Sequence, residues 1–446
     1  MALVLTVILP LLLCWLPILE RRAGGRLDSA WLAGAVTLAS AASLTAAWVG
    51  AAGPGPEVMT IPWMPGLGLG LSLRLDGLSL LFCMLVLGIG LLVVVYARSY
   101  LASDDHAGRF LSFLLLFMGS MLGVVTSENL LGLVVFWELT SLSSFLLVGF
   151  KNEKADARRG ARRALGVTGL GGLALLGSVL LLGEVVGSFE LTRVLAAREV
   201  IVGHPLYPAI VGLLVIGAFA KSAQLPFQFW LPGAMSAPTP ASAYLHSATM
   251  VKAGVFLLAR FWPVLAGTEL WFWLVAGVGL ATMLFGAVVA LFQRDIKGLL
   301  AYSTISHLGL ITALFGLGTE MALVAGLFHI LNHACFKAAL FMAAGVVDHE
   351  TGTRDLDRLG GLAKPLRSTA VLASVASAAM AGIPPLNGCH SKEMFFKETV
   401  DVGAGLSPEW LLPAVAAVGG AFSVGYSVRF AWDIFLRPGT GQLERT

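Results

Sequence analysis

Five ionisable side chains stand inside otherwise apolar stretches of this sequence: Glu138, Lys221, Lys252, Lys337 and Lys392. His246, His307, His329 and His333 stand in the same stretches. A charge at mid-bilayer costs at least ~2.5–3.5 kcal/mol, so five unpaired charges would cost on the order of 12 kcal/mol. These groups must therefore be paired, neutralised or wetted. Burial disfavours the charged form of lysine and of glutamate alike. A buried lysine can thus release and regain a proton, and a nearby carboxylate that shifts its charge can load or unload it. Lysines in four separate runs, with histidines at helical spacing beside them, make the alternating row that a proton relay needs. The plainer alternative is structural ion pairs tying helices together.

Spacing sharpens this. His329, His333 and Lys337 recur at i, i+4 and i+8, on one helical face. The two histidines could also bind a metal, but no carboxylate follows at the expected spacing, so no metal or cofactor is expected. His246 and Lys252 lie about one and two-thirds turns apart if their run is one helix. Glu138 sits among small hydroxyls in Phe136-Trp137-Glu138-Leu-Thr-Ser-Leu-Ser-Ser144. His307, in Tyr302-Ser-Thr-Ile-Ser-His307, could equally satisfy a core hydrogen bond.

Two apolar runs are interrupted by proline with a lysine beside the break: Ala218-Phe-Ala-Lys221-Ser-Ala-Gln-Leu-Pro226 and Ala381-Gly-Ile-Pro384-Pro385, followed by Lys392. Proline frees backbone carbonyls. In a membrane that is tolerated only where the break lines a cavity or is buried in protein. Matched breaks in two halves point to a transport site; the alternative is two ordinary proline kinks.

The elements that position these residues must be membrane helices. The chain has 446 residues, 57% hydrophobic and only 12% charged. A soluble protein carries roughly 25% charged residues, so a soluble enzyme and a disordered chain are both excluded. A net charge of +3 gives no case for a nucleic-acid partner. About thirteen runs are long and apolar enough to span: 2–19, 30–51, 76–96, 110–126, 130–150, 164–186, 208–226, 241–262, 270–292, 299–317, 321–346, 368–389 and 411–434. The fold class expected is an all-α polytopic membrane protein. Its two inverted five-helix repeats have broken helices near 226 and 385, because breaks five spans apart invert the repeat. The divisions are 1–105, a three-helix segment, then 106–262 and 263–446, the two repeats.

Loop cations gather after odd-numbered spans: Arg21, Arg22, Arg26, Arg98, Arg109, the cluster Lys151 to Arg163, Arg294, Lys297, Arg354, Arg358, Lys364, Arg367, Arg437 and Arg445. The other side holds Arg74, Arg193, Arg198, Arg260 and Lys397. The positive-inside rule then places the N-terminus outside and the C-terminus in the cytoplasm, in the cell inner membrane. The apolar start lacks the basic stretch and cleavage site of a signal peptide, so it is read as the first span. Cys14, Cys83, Cys335 and Cys389 form no C-x-x-C pair, which disfavours a disulfide framework or thiolate metal site.

The strings F-W-E-L at Phe136, A-K-S-A-Q-L-P-F from Ala220, H-S-A-T-M-V-K from His246, H-I-L-N-H-A-C-F-K from His329 and G-I-P-P-L-N-G-C-H-S-K-E from Gly382 occur in that order. Together they resemble the antiporter-like proton-translocating subunits shared by complex I and the multisubunit Mrp-type Na+/H+ antiporters. They are most similar to the A-type subunit of the Mrp antiporter, over about residues 70 to 436. The resemblance implies that Glu138 pairs with Lys221 and that His246 and Lys252 link two half-channels. It further implies that His329, His333 and Lys337 form a relay and that Lys392 ends the second half-channel. The implied path runs along the membrane midplane.

Two departures stand out. Cys389 and His390 replace the apolar residues usual before S-K-E, which bears on the Lys392 end. The A-type subunit of Mrp antiporters is also longer, so the chain reads as C-terminally short.

No P-loop, dinucleotide fingerprint or Fe–S cysteine set is present, and Gly66-Leu-Gly-Leu-Gly70 lacks a strand–turn–helix context. The reading is an ion-translocating subunit, not an enzyme. It works with small membrane subunits, H+ and Na+ in the lipid bilayer. Alternatives are a proton-pumping subunit of complex I or a membrane-bound hydrogenase, and a non-conducting scaffold.

Overall fold

The computed structural model describes residues 1–22, 28–51, 53, 55–64, 69–101 and 106–439, with backbone alone for 22, 62–64, 69 and 70. Arg26, Arg445 and residues 66–68 of the glycine run lie outside the described residues.

Along the chain come α1 (Ala2–Leu13), α2 (Leu16–Arg22), α3 (Ser29–Gly50), the strands β1 (Glu57–Met64) and β2 (Leu69–Leu75), then α4 (Gly77–Tyr100), α5 (Ala107–Thr126), α6 (Leu130–Val148) and α7 (Ala155–Val186). The short α8 (Leu191–Ala196) and α9 (Arg198–Val202) lead to α10 (Tyr207–Lys221), α11 (Trp230–Gly233), α12 (Thr239–Ser247) and α13 (Met250–Leu265). The remainder is α14 (Glu269–Trp271), α15 (Val278–Leu291), α16 (Ile296–Leu317), α17 (Glu320–Thr351), α18 (Arg367–Ala381), α19 (Asn387–Gly403) and α20 (Leu411–Ala431).

The described helices include 11 stretches long and apolar enough to cross a membrane, counting Ala2–Arg21 and Thr239–Leu265 each as one. They coincide with the expected spans except 208–226 and 368–389, which are the two proline-broken runs. The apolar pattern of the sequence does not announce one feature: β1 and β2 pair antiparallel, Glu57 opposite Leu75 and Ile61 opposite Leu71.

Helices begin where a side-chain oxygen can take a free N–H. Asp28 accepts from Ala30 N, Asp76 from Ser79 N, Asn129 from Leu131 and Gly132 N, and Asp295 from Gly298 N. Four end at a left-handed glycine: Gly187 after α7, Gly318 after α16, Gly352 after α17 and Gly382 after α18.

The chain divides into two compact units, Met1–Lys221 with Ser236–Leu265, and Ser222–Met235 with Ala266–Thr446. In the first, α12 and α13 are the most enclosed, and α7 and α10 cross at small residues. A Cβ on Gly171 would lie 2.4 Å from Ala220 Cβ, and one on Gly217 3.0 Å from Gly171 O. In the second, α16 is enclosed and α15 lies against it backbone to backbone. A Cβ on Gly279 would come within 2.4 Å of Ala313 N, and one on Gly309 within 2.4 Å of Met283 N. Small residues do this in membranes because close backbone packing replaces the hydrophobic drive that lipid removes. Large apolar side chains such as Trp15, Trp31, Leu170, Leu173 and Trp273 stay exposed, as a surface facing lipid requires.

Candidate functional site

In the first unit Lys221, the last residue of α10, is one of the buried ionisable side chains. The helix stops there: Ala223 takes a left-handed φ of 49° and Pro226 follows. Lys221 is fully buried. Its Nζ donates to Trp137 O at 3.1 Å and Ser141 Oγ at 2.7 Å on α6, and it lies 5.1 Å from the centroid of the Trp137 ring. Glu138 stands between those two α6 residues in sequence, and its charge interacts with that of Lys221. The lysine's hydrogen bonds nevertheless go to its neighbours. Glu138 Oε1 has no hydrogen-bond partner among the described residues. It occupies a notch at Gly172 of α7, where a Cβ would sit 1.5 Å away.

His246 and Lys252 are fully buried in the same unit, but not on one helix. The run breaks at Ala248 and Thr249, between α12 and α13. The Thr249 hydroxyl donates to Tyr244 O at 2.8 Å, competing with the backbone ladder. The spacing of one and two-thirds turns is therefore not realised.

In the second unit, α17 carries His329, His333 and Lys337, all buried. Lys337 Nζ donates to Ser303 Oγ and, at 3.4 Å, to Leu300 O, both on α16. His307 of α16 meets His329, Nδ1 to Nε2 at 2.9 Å, and its ring lies 5.6 Å from that of His333. Lys392 reaches two acceptors at 2.9 Å: Ala381 O at the broken end of α18, and Ser423 Oγ on α20. Gly382 is required twice there. Its φ of +86° turns the chain, and a Cβ would lie 2.8 Å from Lys392 Cδ. His390 is 68% exposed and sits 3.8 Å from Glu393, away from the Lys392 hydrogen bonds.

Lys221 and Lys392 thus share one solution: a main-chain carbonyl plus a serine hydroxyl. Neither has a carboxylate within ion-pair distance among the described residues. Ser141 and Ser303 lie inside strings quoted from the sequence but are not singled out there as lysine partners, and Ser423 and Tyr426 lie in none of its motifs. A signal exists for the last group, since Ser423, Tyr426 and Ser427 are polar at i, i+3 and i+4 in an apolar helix. All four ring nitrogens of His307 and His329 are in hydrogen bonds. Among the described residues no cluster of three His, Cys, Asp or Glu is placed to hold a metal ion.

At the end of the helices, outside the spans, Asp76 accepts from Arg74 at 2.8 Å and from Arg260 at 3.1 Å and less. Burial opposes its charge, yet the two guanidiniums and the Ser79 N–H hold its carboxyl well below the usual carboxylate range.

This is a multi-pass helical membrane protein with discontinuous helices of the kind that line ion paths. The chain belongs to the family described as NADH:quinone oxidoreductase/Mrp antiporter, TM, whose model matches residues 127–415; a second, described as NADH-ubiquinone oxidoreductase (complex I), chain 5 N-terminus, matches residues 63–111. It is 55% identical over 415 residues to a probable K(+)/H(+) antiporter A/B subunit of Rhizobium meliloti, covering 93% of this chain and 42% of that one. It is 48% identical over 352 residues to the Na(+)/H(+) antiporter A-type subunit of Alkalihalophilus pseudofirmus, covering 76% and 44%. A chain of the Mrp complex from Dietzia matches with a TM-score of 0.90 and 40% identity, over 96% of this chain and 47% of that one. A chain of an archaeal membrane-bound sulfane sulfur reductase, at 23% identity and a TM-score of 0.85, shares the fold over 99% of this chain and 89% of that one. The chain spans less than half the length of the curated antiporter relatives it matches.

Proposed function

We propose that this chain is an ion-translocating subunit of a multisubunit cation/H+ antiporter in the cell membrane, working with further small membrane subunits. Protons move through the Glu138–Lys221 site of the first unit and the histidine–lysine site of the second, and the exchanged cation is Na+ or K+. His246 and Lys252 link the half-channels, and residues 106–262 and 263–446 are two inverted five-helix repeats that follow a three-helix segment, 1–105. The N-terminus lies outside and the C-terminus in the cytoplasm. No redox or hydrolytic step is assigned to the chain.

One observation carries this reading. Lys221 and Lys392 are buried in the apolar body and held by a carbonyl and a hydroxyl, without a carboxylate within ion-pair distance among the described residues. A structural lysine would bury its charge against a carboxylate, because an uncompensated buried charge costs several kcal/mol. A lysine held by neutral acceptors can shed its proton and keep one of its hydrogen bonds. The test is cation-dependent proton flux in everted vesicles carrying the whole gene cluster, run with Na+ and with K+. Wild type should show flux with at least one cation, and Lys221→Ala should abolish it at unchanged expression. Flux untouched by Lys221→Ala would sink the reading.

A further inference from the structure

Six side chains of the second unit form an unbroken hydrogen-bonded chain. Lys392 Nζ donates to Ser423 Oγ at 2.9 Å, and Ser423 Oγ bonds the Tyr426 hydroxyl at 2.9 Å. The Tyr426 hydroxyl meets His307 Nε2 at 3.0 Å, and His307 Nδ1 meets His329 Nε2 at 2.9 Å. His329 Nδ1 meets Ser391 Oγ at 3.0 Å. Every link lies within ordinary hydrogen-bond length. All six side chains are buried, Tyr426 and Ser391 completely and Lys392 the least so, at 7% exposed. A small cavity opens beside the chain against Ser306, His307, Lys392, Ser423 and Tyr426.

We propose that Tyr426 and Ser423 of α20 are relay residues that carry a proton between Lys392 and the His307–His329 pair. The proposal rests on the antiporter reading above and extends its second half-channel onto α20.

Each member beyond the Lys392 ammonium, which only donates, can both donate and accept, because hydroxyls and neutral imidazoles have one of each function on the chain. Hydroxyl hydrogens rotate, and for the transfer Ser423 turns to donate to Tyr426, Tyr426 donates to His307 Nε2, and His307 Nδ1–H to His329 Nε2. The Lys392 ammonium passes a proton to Ser423 Oγ. Ser423 passes its own to the Tyr426 oxygen, Tyr426 passes its own to His307 Nε2, and His307 releases the Nδ1 proton to His329 Nε2. Lys392 ends neutral, His329 ends as imidazolium, and Ser423, Tyr426 and His307 each gain one proton and lose one. The chain is then polarised the other way. His307 carries its proton on the opposite nitrogen and cannot pass a second one forward until the chain is reset, by return of the first proton or, once His329 has handed that proton on, by turning of the hydroxyls and the His307 ring. The chain is therefore a reciprocating shuttle rather than an open conductor.

The test uses the complete antiporter complex in everted vesicles, assayed for cation-dependent proton flux, with Lys221→Ala beside each variant. Tyr426→Phe keeps the ring and removes only the hydroxyl; Ser423→Ala removes the next link. Each should lower flux at least ~10-fold, as loss of a proton-transfer group does. Assembly, read by copurification of the other subunits, should stay at the wild-type level. The double variant should lose no more than the worse single, since one cut already opens the chain. Losses that multiply in the double mark independent structural damage and overturn the shuttle. Full flux in Tyr426→Phe, with Lys221→Ala inactive, overturns the shuttle and leaves the antiporter reading standing. Should Tyr426→Phe fail to assemble, Ser423→Ala alone decides by the same criterion. Flux indifferent to Lys221→Ala overturns both.

Discussion

Among single residues, Gly172 has a sharply defined role. Any side chain there would overlap the Glu138 carboxylate, since even a Cβ would lie 1.5 Å from Oε1 and 3.3 Å from Trp137 Cδ1. Gly172→Ala should therefore displace Glu138 and cut proton flux at least ~10-fold, the scale on which a misplaced proton-transfer group acts. Combined with Glu138→Gln it should add little further loss; multiplied losses would show that the notch serves something else. Asp76 makes a different prediction. Its carboxylate faces Arg260, only 5% exposed, and Arg74. Asp76→Asn leaves a buried guanidinium without its partner and should cost about 3–5 kcal/mol, read as a lower Tm of the detergent-solubilised chain. Because the folded carboxyl is held low, its stabilisation is complete above the ordinary value of 3.8 and fades as pH falls below that. The Tm gap between wild type and variant should be constant above pH ~4 and narrow in stronger acid.

The elements explain why some of this is legible in the sequence. Long apolar runs declare themselves, because a spanning helix needs about 20 such residues and little else. The two breaks declare themselves through Pro226 and Pro384. The hairpin does not. Leu71, Leu73 and Leu75 alternate with Ser72 and Arg74 on β2, but β1 carries Pro62 and no such alternation, so the period-2 pattern is drowned by the apolar helices around it. Spacing along one helix is legible, as with His329, His333 and Lys337. Partners on other helices are not, which is why Ser303, Ser423 and Tyr426 escape a reading of single runs, and why the break at Thr249 goes unseen. The glycine seam between α15 and α16 yields a prediction at this scale. Gly309→Ala puts a Cβ 2.4 Å from Met283 N, where only backbone movement can make room. It should cost about 1–3 kcal/mol and disturb His307 on the same helix, lowering both Tm and flux. Gly166→Ala on α7 meets nothing within 4 Å and should be neutral, or stabilising by up to ~1 kcal/mol through helix propensity. Equal effects of the two substitutions would mean that the seam does not set the packing of α15 on α16.

For the whole molecule, orientation is the property that local contacts do not fix. The cluster Lys151 to Arg163 is the densest run of positive charge in the sequence, and charge density near span ends sets topology. A cysteine introduced as Arg163→Cys should react with a membrane-impermeant maleimide in everted vesicles and not in right-side-out ones; the reverse pattern would invert every side assignment. The helix break after α18 also bears on how this protein would look to a geneticist. Half of what holds Lys392 is the carbonyl oxygen of Ala381, an atom that every residue at that position supplies. Scanning substitution can delete Ser423 but cannot delete that oxygen. A scan that exchanges small residues should therefore return hits at Gly382→Ala, which upsets the turn, and leave Ala381→Gly or Ala381→Ser unmarked, so that such a catalogue of mutants would overlook one of the two contacts that hold the lysine.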